Sequence, residues 1–281
     1  MGSQPISHGS PAQQAQRFAG KVAIVTGAAG GLGRELASAF AAEGALVLAA
    51  DLQAPTFPTP GARDEADCVG VQLDVTSQAS WEALLARVRR EQSRLDILVN
   101  CAGVAHRESI RSIGLPDWQR VIDVNLTGPM LGIHCSAPLM RDSGGGAVVN
   151  IGSTAGVSAH PGVAYCASKW GLRGVTVSAA LELLDWGIRV NAVHPVQIQG
   201  TGITAGATAG WRYAQEHALP MRRGITAQEV ARAVLFLASE AASYITGTDL
   251  PLDGGAMSTG LARVRTVLQH EFDKTQGERD R

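Results

Sequence analysis

The sequence predicts an α/β fold built on one doubly wound parallel sheet. Short apolar runs of strand length recur along the 281 residues, and each is followed by a turn and a longer segment of helical periodicity. The residues just past the runs are nearly all polar or turn-forming. Alternation of this kind implies parallel strands joined by right-handed crossovers, with helices on both faces of the sheet. Length alone would allow two domains, but no composition break divides the chain and its Gly/Pro clusters are loop-sized, so one domain is expected.

In chain order the expected strands are Val22–Val25, Ala45–Ala50, Val69–Leu73, Ile97–Val99, Ala147–Ile151, Ile188–Val193 and Asp249–Leu252. Helical periodicity covers about Gly33–Glu43, Gln78–Gln92, Pro116–Met140, Val163–Asp185 and Ala227–Ser239. In an open parallel sheet, ligands bind outside the carboxyl ends of the strands. The residues there are Thr26-Gly27, Asp51, Asp74, Asn100, Ser153 and the stretch from Asn191 to Pro195.

Composition excludes several function classes. Lys+Arg number 24 against 25 Asp+Glu, so the basic excess of a nucleic-acid binder is missing. With 45% hydrophobic and 17% charged residues the chain can bury a large core and is not a disordered protein. It has no run of 18 or more apolar residues, which argues against a membrane partner. The first seventeen residues lack an apolar signal region and read as a flexible extension. Four cysteines without a CxxC pair argue against a zinc site or disulfide framework, so no metal and a reducing, cytoplasmic compartment are expected. Lysine is scarce, at three residues (Lys21, Lys169, Lys274), so a lysine inside a chemical motif stands out.

The first strand runs into Thr26-Gly27-Ala28-Ala29-Gly30-Gly31-Leu32-Gly33, where a helix opens. Glycines in such a turn let backbone approach a pyrophosphate, whose charge is stabilised by free N–H groups at the helix N-terminus. The GxGxxG fingerprint is not met; the pattern is TGxxxGxG. Asp51, at the end of the second strand, stands where an acid accepts hydrogen bonds from ribose hydroxyls and repels a 2′-phosphate, favouring NAD(H) over NADP(H). Taken alone, Asp51 reads equally as a helix cap or a solvated loop residue.

Tyr165 and Lys169 stand four apart on one expected helix and share a face. An ammonium near a phenol favours the phenolate, which brings the tyrosine toward use as a general acid or base. Ser153, twelve residues earlier at a strand end, is placed to donate to a carbonyl or alcohol oxygen.

With these residues in place, the chain resembles the short-chain dehydrogenases/reductases. The matching pieces are TGAAGGLG (Thr26–Gly33), Asp51, LDV (Leu73–Val75), NCAG (Asn100–Gly103), DVNLTG (Asp123–Gly128), NIGSTAG (Asn150–Gly156), YCASK (Tyr165–Lys169), RVNAVHP (Arg189–Pro195) and ITGTDLPLDGG ending at Gly255. They cover about residues 18–257 in order. The resemblance implies a Rossmann-like fold, a seven-stranded sheet in the order 3-2-1-4-5-6-7, and hydride transfer between NAD(H) and a secondary alcohol or ketone. It implies Tyr165 as the general acid or base and Ser153 as the group polarising the substrate oxygen. Lys169 would bond the nicotinamide ribose and lower the Tyr165 pKa, with Asn125 holding a water that relays protons from Lys169. It places Gly27, Gly31, Leu32 and Gly33 at the pyrophosphate and Asp51 and Leu52 at the adenosine ribose. Asp74 and Val75 would flank the adenine, while Asn100, Ala102, Gly103 and Pro195 line the channel and Ile198 meets the carboxamide. A homotetramer, or a homodimer, is the implied assembly.

The sequence departs from the family pattern in places. The Ser153–Tyr165 interval is one residue short, so the loop Val157–Gly162 should be altered. Cys101 replaces an Asn, and Val196 replaces the Gly after the sixth strand, where a β-branched residue would resist positive φ and add bulk. Substrate choice is expected in the segment 197–221, read either as a lid over an apolar molecule or as a solvent loop, with Trp211, Tyr213 and Met221 as candidate lining or packing residues. His160 and His194 are read as non-catalytic, because Tyr165 already supplies the proton chemistry. An apolar, cyclic or steroid-like alcohol is the expected substrate class. A 3-oxoacyl-carrier reductase is the enzymatic alternative, with Arg34 as the only basic residue in the glycine turn, and a non-catalytic NAD(H) sensor or scaffold is the alternative of another class. Residues 258–281 lie beyond the family core; Val264, Val267 and Leu268 share a helical face there, fitting either docking on a neighbour or a frayed end.

Overall fold

The computed structural model describes residues 16–57, 68–200 and 208–279. The flexible extension expected at 1–17 lies outside these residues apart from its last two. Arg17 pairs with Glu43, and the neighbouring Phe18 is buried against Phe40 with ring centroids 5.0 Å apart.

Seven strands form the sheet: β1 (Val22–Thr26), β2 (Leu46–Asp51), β3 (Cys68–Gln72), β4 (Ile97–Asn100), β5 (Gly146–Ile151), β6 (Ile188–Pro195) and β7 (Asp249–Leu252). All pair in parallel in the order β3-β2-β1-β4-β5-β6-β7, as the resemblance implied. The helices are α1 (Gly31–Ala42), α2 (Gln78–Gln92), α3 (Leu115–Ile122), α4 (Gly128–Asp142), α5 (Val163–Glu182), α6 (Ala209–Ala218), α7 (Ala227–Ala238) and α8 (Ala256–Arg279).

Strand side chains alternate between two cores. Ala23 and Val25 of β1 face one core with Leu36 and Phe40 of α1 and Val230 and Val234 of α7. Val22 and Ile24 face the other with Trp81 of α2, Met140 of α4 and Ala180 of α5. Each fully buried Val, Leu or Ile contributes about 1.5–3 kcal/mol by leaving water, which is why period-two alternation between two apolar faces yields continuous apolar runs. Helix ends follow local chemistry: Ser77 caps α2 through Ser80 N at 3.3 Å, and Thr226 with Glu229 forms a capping box at α7.

Two differences from the sequence expectation matter for function. The helix expected over 116–140 is interrupted by a π turn, Asp123–Thr127, where the Gly128 N–H bonds back five residues to Asp123 O. The segment 197–221 contains α6, which periodicity did not single out; its residues 201–207 lie outside the described ones. The tail folds as α8, with Val267 half-buried and Leu261, Leu268 and Phe272 exposed. Among the described residues no helix is long and apolar enough to cross a membrane.

Candidate active site

The carboxyl ends of the strands gather the residues singled out by sequence. At the end of β1 the chain enters the glycine turn with Gly27 at φ +72°, and a Cβ there would sit 2.8 Å from Ala102 Cα. A Cβ on Gly33 would lie 2.2 Å from Gly27 O, so the first turn of α1 packs directly on the loop that precedes it. The N-cap of α1, Gly30, supplies no side-chain cap and the first turn holds no acid, so Gly31, Leu32 and Gly33 open the helix without a carboxylate that would repel an anion.

Thr26 is a residue whose role the sequence reading missed. Its Oγ1 accepts from the N–H groups of Cys101 and Ala102, both at 3.0 Å, and so fastens the NCAG loop after β4 to the glycine turn. Its place at the head of the TG motif was the available signal. Burial pushes the Cys101 thiol up to about 12, leaving it uncharged and unreactive at neutral pH.

Asp51 ends β2. Its Oδ2 accepts from Ala29 N at 2.9 Å and its Oδ1 from Leu52 N at 2.8 Å, so the carboxylate is aimed at the glycine turn. Arg34 points elsewhere: its Nη1 donates to Thr56 O at 3.1 Å and its guanidinium lies 5.0 Å from the Phe57 ring centroid. Asp74, past β3, folds back on Thr76 through Oδ1, and Val75 packs at Gly128, where a Cβ would be 3.1 Å from Val75 Cγ2. A cavity of about 410 Å³ opens beside them, lined by Leu52, Val71, Asp74 and Ser80 among others. A second hollow, of about 300 Å³, lies between α2 and α4 at Leu85, Cys135 and Pro138, away from the residues of the motifs.

Asn100 is buried in a polar ladder, donating to Asn150 Oδ1 at 2.9 Å, while Asn150 donates to Thr176 Oγ1 at 2.9 Å. This ladder ties β4, β5 and α5 together just below the site. The π turn presents Asn125, fully buried, whose amide pairs with Val104 as a strand residue would: Oδ1 accepts from Val104 N and Nδ2 donates to Val104 O, both at 2.8 Å. The same Nδ2 reaches Ser168 Oγ at 3.2 Å on α5, a second contact the sequence did not reveal.

Ser153 follows β5 and opens a 3-10 turn, Thr154–Gly156, with its Oγ accepting from Ala155 N at 3.1 Å. Tyr165 and Lys169 lie in the first two turns of α5. Lys169 is buried, its Nζ donating to Ile151 O at 2.8 Å and standing 5.8 Å from the Tyr165 ring centroid. Burial pushes its ammonium down to about 8. The Tyr165 phenol is raised, because burial outweighs the hydrogen bond with Ser153 that lowers it. That differs from the lowering expected of a neighbouring ammonium: in the free chain the Lys169 proton is directed to the Ile151 carbonyl, and desolvation dominates at the phenol. Gly103 places no side chain beside the cluster, where an added Cβ would stand at ordinary contact distance from Asn125 Oδ1 (3.4 Å) and Lys169 Nζ (3.9 Å). The glycine turn, the uncapped helix start and the Asp51 carboxylate form a cradle at the carboxyl ends of the strands, and their donors and acceptors fit a dinucleotide.

At the far end of the cradle Pro195 closes β6, buried and paired with Leu252, and Val196 N donates to Leu252 O at 3.1 Å. Among the described residues the non-glycine positions with positive φ are Ser93 and Arg222, so Val196 escapes the strain expected of it by continuing the strand pairing. Ile198 bridges to Ile225 in a short parallel contact that holds the segment after β6 against the start of α7. His160 faces the site, its ring centroid 5.4 Å from that of Tyr165 and its Nδ1 accepting from Gly162 N at 3.1 Å. Of the candidate lining residues, Tyr213 and Met221 are exposed.

Comparison with known proteins bears on the family and the fold. A family model described as Enoyl-(Acyl carrier protein) reductase matches residues 27–257. The chain is 38% identical over 251 residues to trans-4-hydroxycyclohexanecarboxylate dehydrogenase of Sinomonas cyclohexanicum, covering 85% of this chain and 93% of that protein. It is 37% identical over 250 residues to 3-alpha-(or 20-beta)-hydroxysteroid dehydrogenase of Mycobacterium tuberculosis, covering 88% and 92%. Among solved structures, a short-chain type dehydrogenase/reductase from Mycobacterium marinum superposes with a TM-score of 0.79 at 30% identity, over 86% of this chain and 97% of that one.

Proposed function

The chain belongs to the short-chain dehydrogenase/reductase family and is an oxidoreductase of CH–OH groups; within that class we propose that it uses NAD(H) to interconvert a cyclic, largely apolar secondary alcohol and its ketone. The observation that carries this reading is the convergence of Ser153, Tyr165 and buried Lys169 at one end of a cradle whose other end holds the Asp51 carboxylate. The two relatives compared above are named for hydroxylated ring compounds, which supports the substrate class.

In the proposed reaction the Ser153 hydroxyl donates to the substrate oxygen and holds it against Tyr165. Tyr165 Oη takes the alcohol proton in oxidation and returns it to the ketone oxygen in reduction. A nicotinamide held there would supply the hydride chemistry at the same substrate carbon. Lys169 would hold the nicotinamide ribose hydroxyls, where its charge would favour the phenolate. Asn125, its amide committed to Val104 and Ser168, would hold the water of a proton relay from Lys169. Asp51 accepts from the adenosine ribose, with Leu52 beside it, and repels a 2′-phosphate; Arg34, engaged with Thr56 and Phe57, offers that phosphate little. Gly27, Gly31, Leu32 and Gly33 receive the pyrophosphate, Asp74 and Val75 the adenine, and Asn100, Ala102, Gly103, Pro195 and Ile198 the nicotinamide side.

Assembly as a homotetramer or homodimer is part of the same proposal, supported by the apolar side chains of Val177 and Leu181 that α5 leaves exposed, followed by Leu184. The test of function is NADH formation from NAD⁺ with a panel of cyclic alcohols, acyclic secondary alcohols, hydroxysteroids and a 3-hydroxyacyl thioester, with Tyr165→Phe in parallel. Turnover of ring alcohols lost in the variant is expected. Equal turnover by Tyr165→Phe would remove the acid–base assignment, and exclusive use of the thioester would replace the substrate class.

A further inference from the structure

A polar chain that includes the buried His194 meets the Ser153 backbone. His194 in β6 is fully buried, and its Nε2 stands 2.8 Å from Asp249 Oδ1 at the start of β7. Asp249 Oδ2 accepts from Arg173 Nε at 2.7 Å. On the other side of the imidazole, Nδ1 stands 3.3 Å from Ser153 N and 3.0 Å from Ser153 O. The ring has no slack: a Cβ on Gly152 would come within 2.5 Å of Nδ1. Arg173 is one helical turn beyond Lys169 on α5 and also donates to Gly156 O at 3.4 Å, the last residue of the turn that Ser153 opens. One hydrogen-bonded chain therefore spans α5, β7, β6 and the end of β5, the elements that carry or border Ser153, Tyr165 and Lys169.

The chemistry of the chain directs it toward Ser153. Burial pushes the Asp249 carboxyl up, but hydrogen bonds from Arg173 and His194 outweigh that and hold it below the usual carboxylate range. Asp249 holds the imidazole through Nε2, which leaves Nδ1 directed at the Ser153 peptide, within hydrogen-bond distance of both its N–H and its carbonyl oxygen. The orientation of the Ser153 peptide, and with it the direction of Oγ toward the phenol, is then set by a fully buried group.

We propose that His194, oriented by Asp249 and Arg173, is a positioning residue that holds Ser153 in register with Tyr165. The proposal rests on the roles given to Ser153 and Tyr165 above.

A double-mutant cycle with a ring alcohol and saturating NAD⁺ tests it. His194→Leu should lower kcat roughly 10- to 100-fold, the penalty of a misplaced catalytic group, with NAD⁺ affinity by tryptophan fluorescence altered less than about twofold. In a Ser153→Ala background the same change should add less than about twofold, since nothing remains to be positioned. His194→Asn, whose amide reaches the place of Nδ1, should recover part of kcat. Unaltered kcat in His194→Leu, or the same penalty in both backgrounds, would overturn the proposal. If His194→Leu does not fold, Asp249→Asn serves instead: it keeps the shape and removes the carboxylate that orients the imidazole, and an equal penalty with and without the Ser153 hydroxyl would again be fatal. Full activity of Ser153→Ala would bring down the catalytic assignment itself, an outcome separate from loss in Ser153→Ala combined with an unaffected His194→Leu.

Discussion

Gly156 lies so near Lys169 that a Cβ on it would stand 2.6 Å from the Lys169 carbonyl oxygen and 3.2 Å from Lys169 Cβ. The turn opened by Ser153 is thereby seated on α5 beside the lysine, with no side chain between them. Both contacts are with atoms that cannot swing away, so an added methyl must push the turn or the helix aside. Gly156→Ala is expected to cost about 1–3 kcal/mol through overpacking and to lower kcat by displacing Ser153. Gly174→Ala, on the same helix with nothing within 4 Å of the added Cβ, should instead raise stability by up to about 1 kcal/mol. Thermal melts and turnover of the two variants side by side check this; an unperturbed Gly156→Ala would contradict the close approach.

Lys169 makes stability depend on pH in an identifiable direction. Its ammonium is pushed from 10.5 down to about 8 by burial, so between these values the unfolded chain holds a proton that the folded chain has lost. Stability contributed by this group therefore rises with pH across the window, and the full penalty of the buried charge, about 3 kcal/mol, is present below it. Lys169→Met should abolish turnover yet stabilise the fold at pH 7 by about 2 kcal/mol, after allowing for the orphaned Ile151 carbonyl. The gain should shrink as pH is raised through the window. Urea titrations at several pH values measure it, and a pH-independent difference would mean that the folded lysine is not a desolvated cation.

Asp51 contacts the backbone of Ala29 and Leu52 at 2.9 and 2.8 Å and is the one acidic residue within β2. Its replacement by alanine is expected to raise the NADP⁺/NAD⁺ ratio of kcat/KM by roughly tenfold or more, by removing both the ribose acceptor and the repulsion of a 2′-phosphate. Steady-state rates with each cofactor give the ratio; no change would sink the ribose-contact argument.

The division between sequence and structure follows the range of the interactions concerned. Apolar period and turn residues sufficed for seven parallel strands, for the glycine turn and for Tyr165 and Lys169 on one helix face, because each depends on residues a few positions apart, whereas the order of the strands was implied only by the family resemblance. Even the extent of α2, Gln78–Gln92, was legible, since Ser77 caps it locally. What packing alone decided involves partners far apart in the chain. The π turn exists where the Asn125 amide finds the Val104 backbone, 21 residues away, and Thr26 reaches Cys101 across 75. Val196 avoids strain because β7 is there to pair with it, and His194 acquires a task only when Asp249 is brought within hydrogen-bond reach. The phenol of Tyr165 shows the physical reason most directly. Its neighbour in sequence argues for a lowered pKa, whereas desolvation, a property of the assembled interior, raises it.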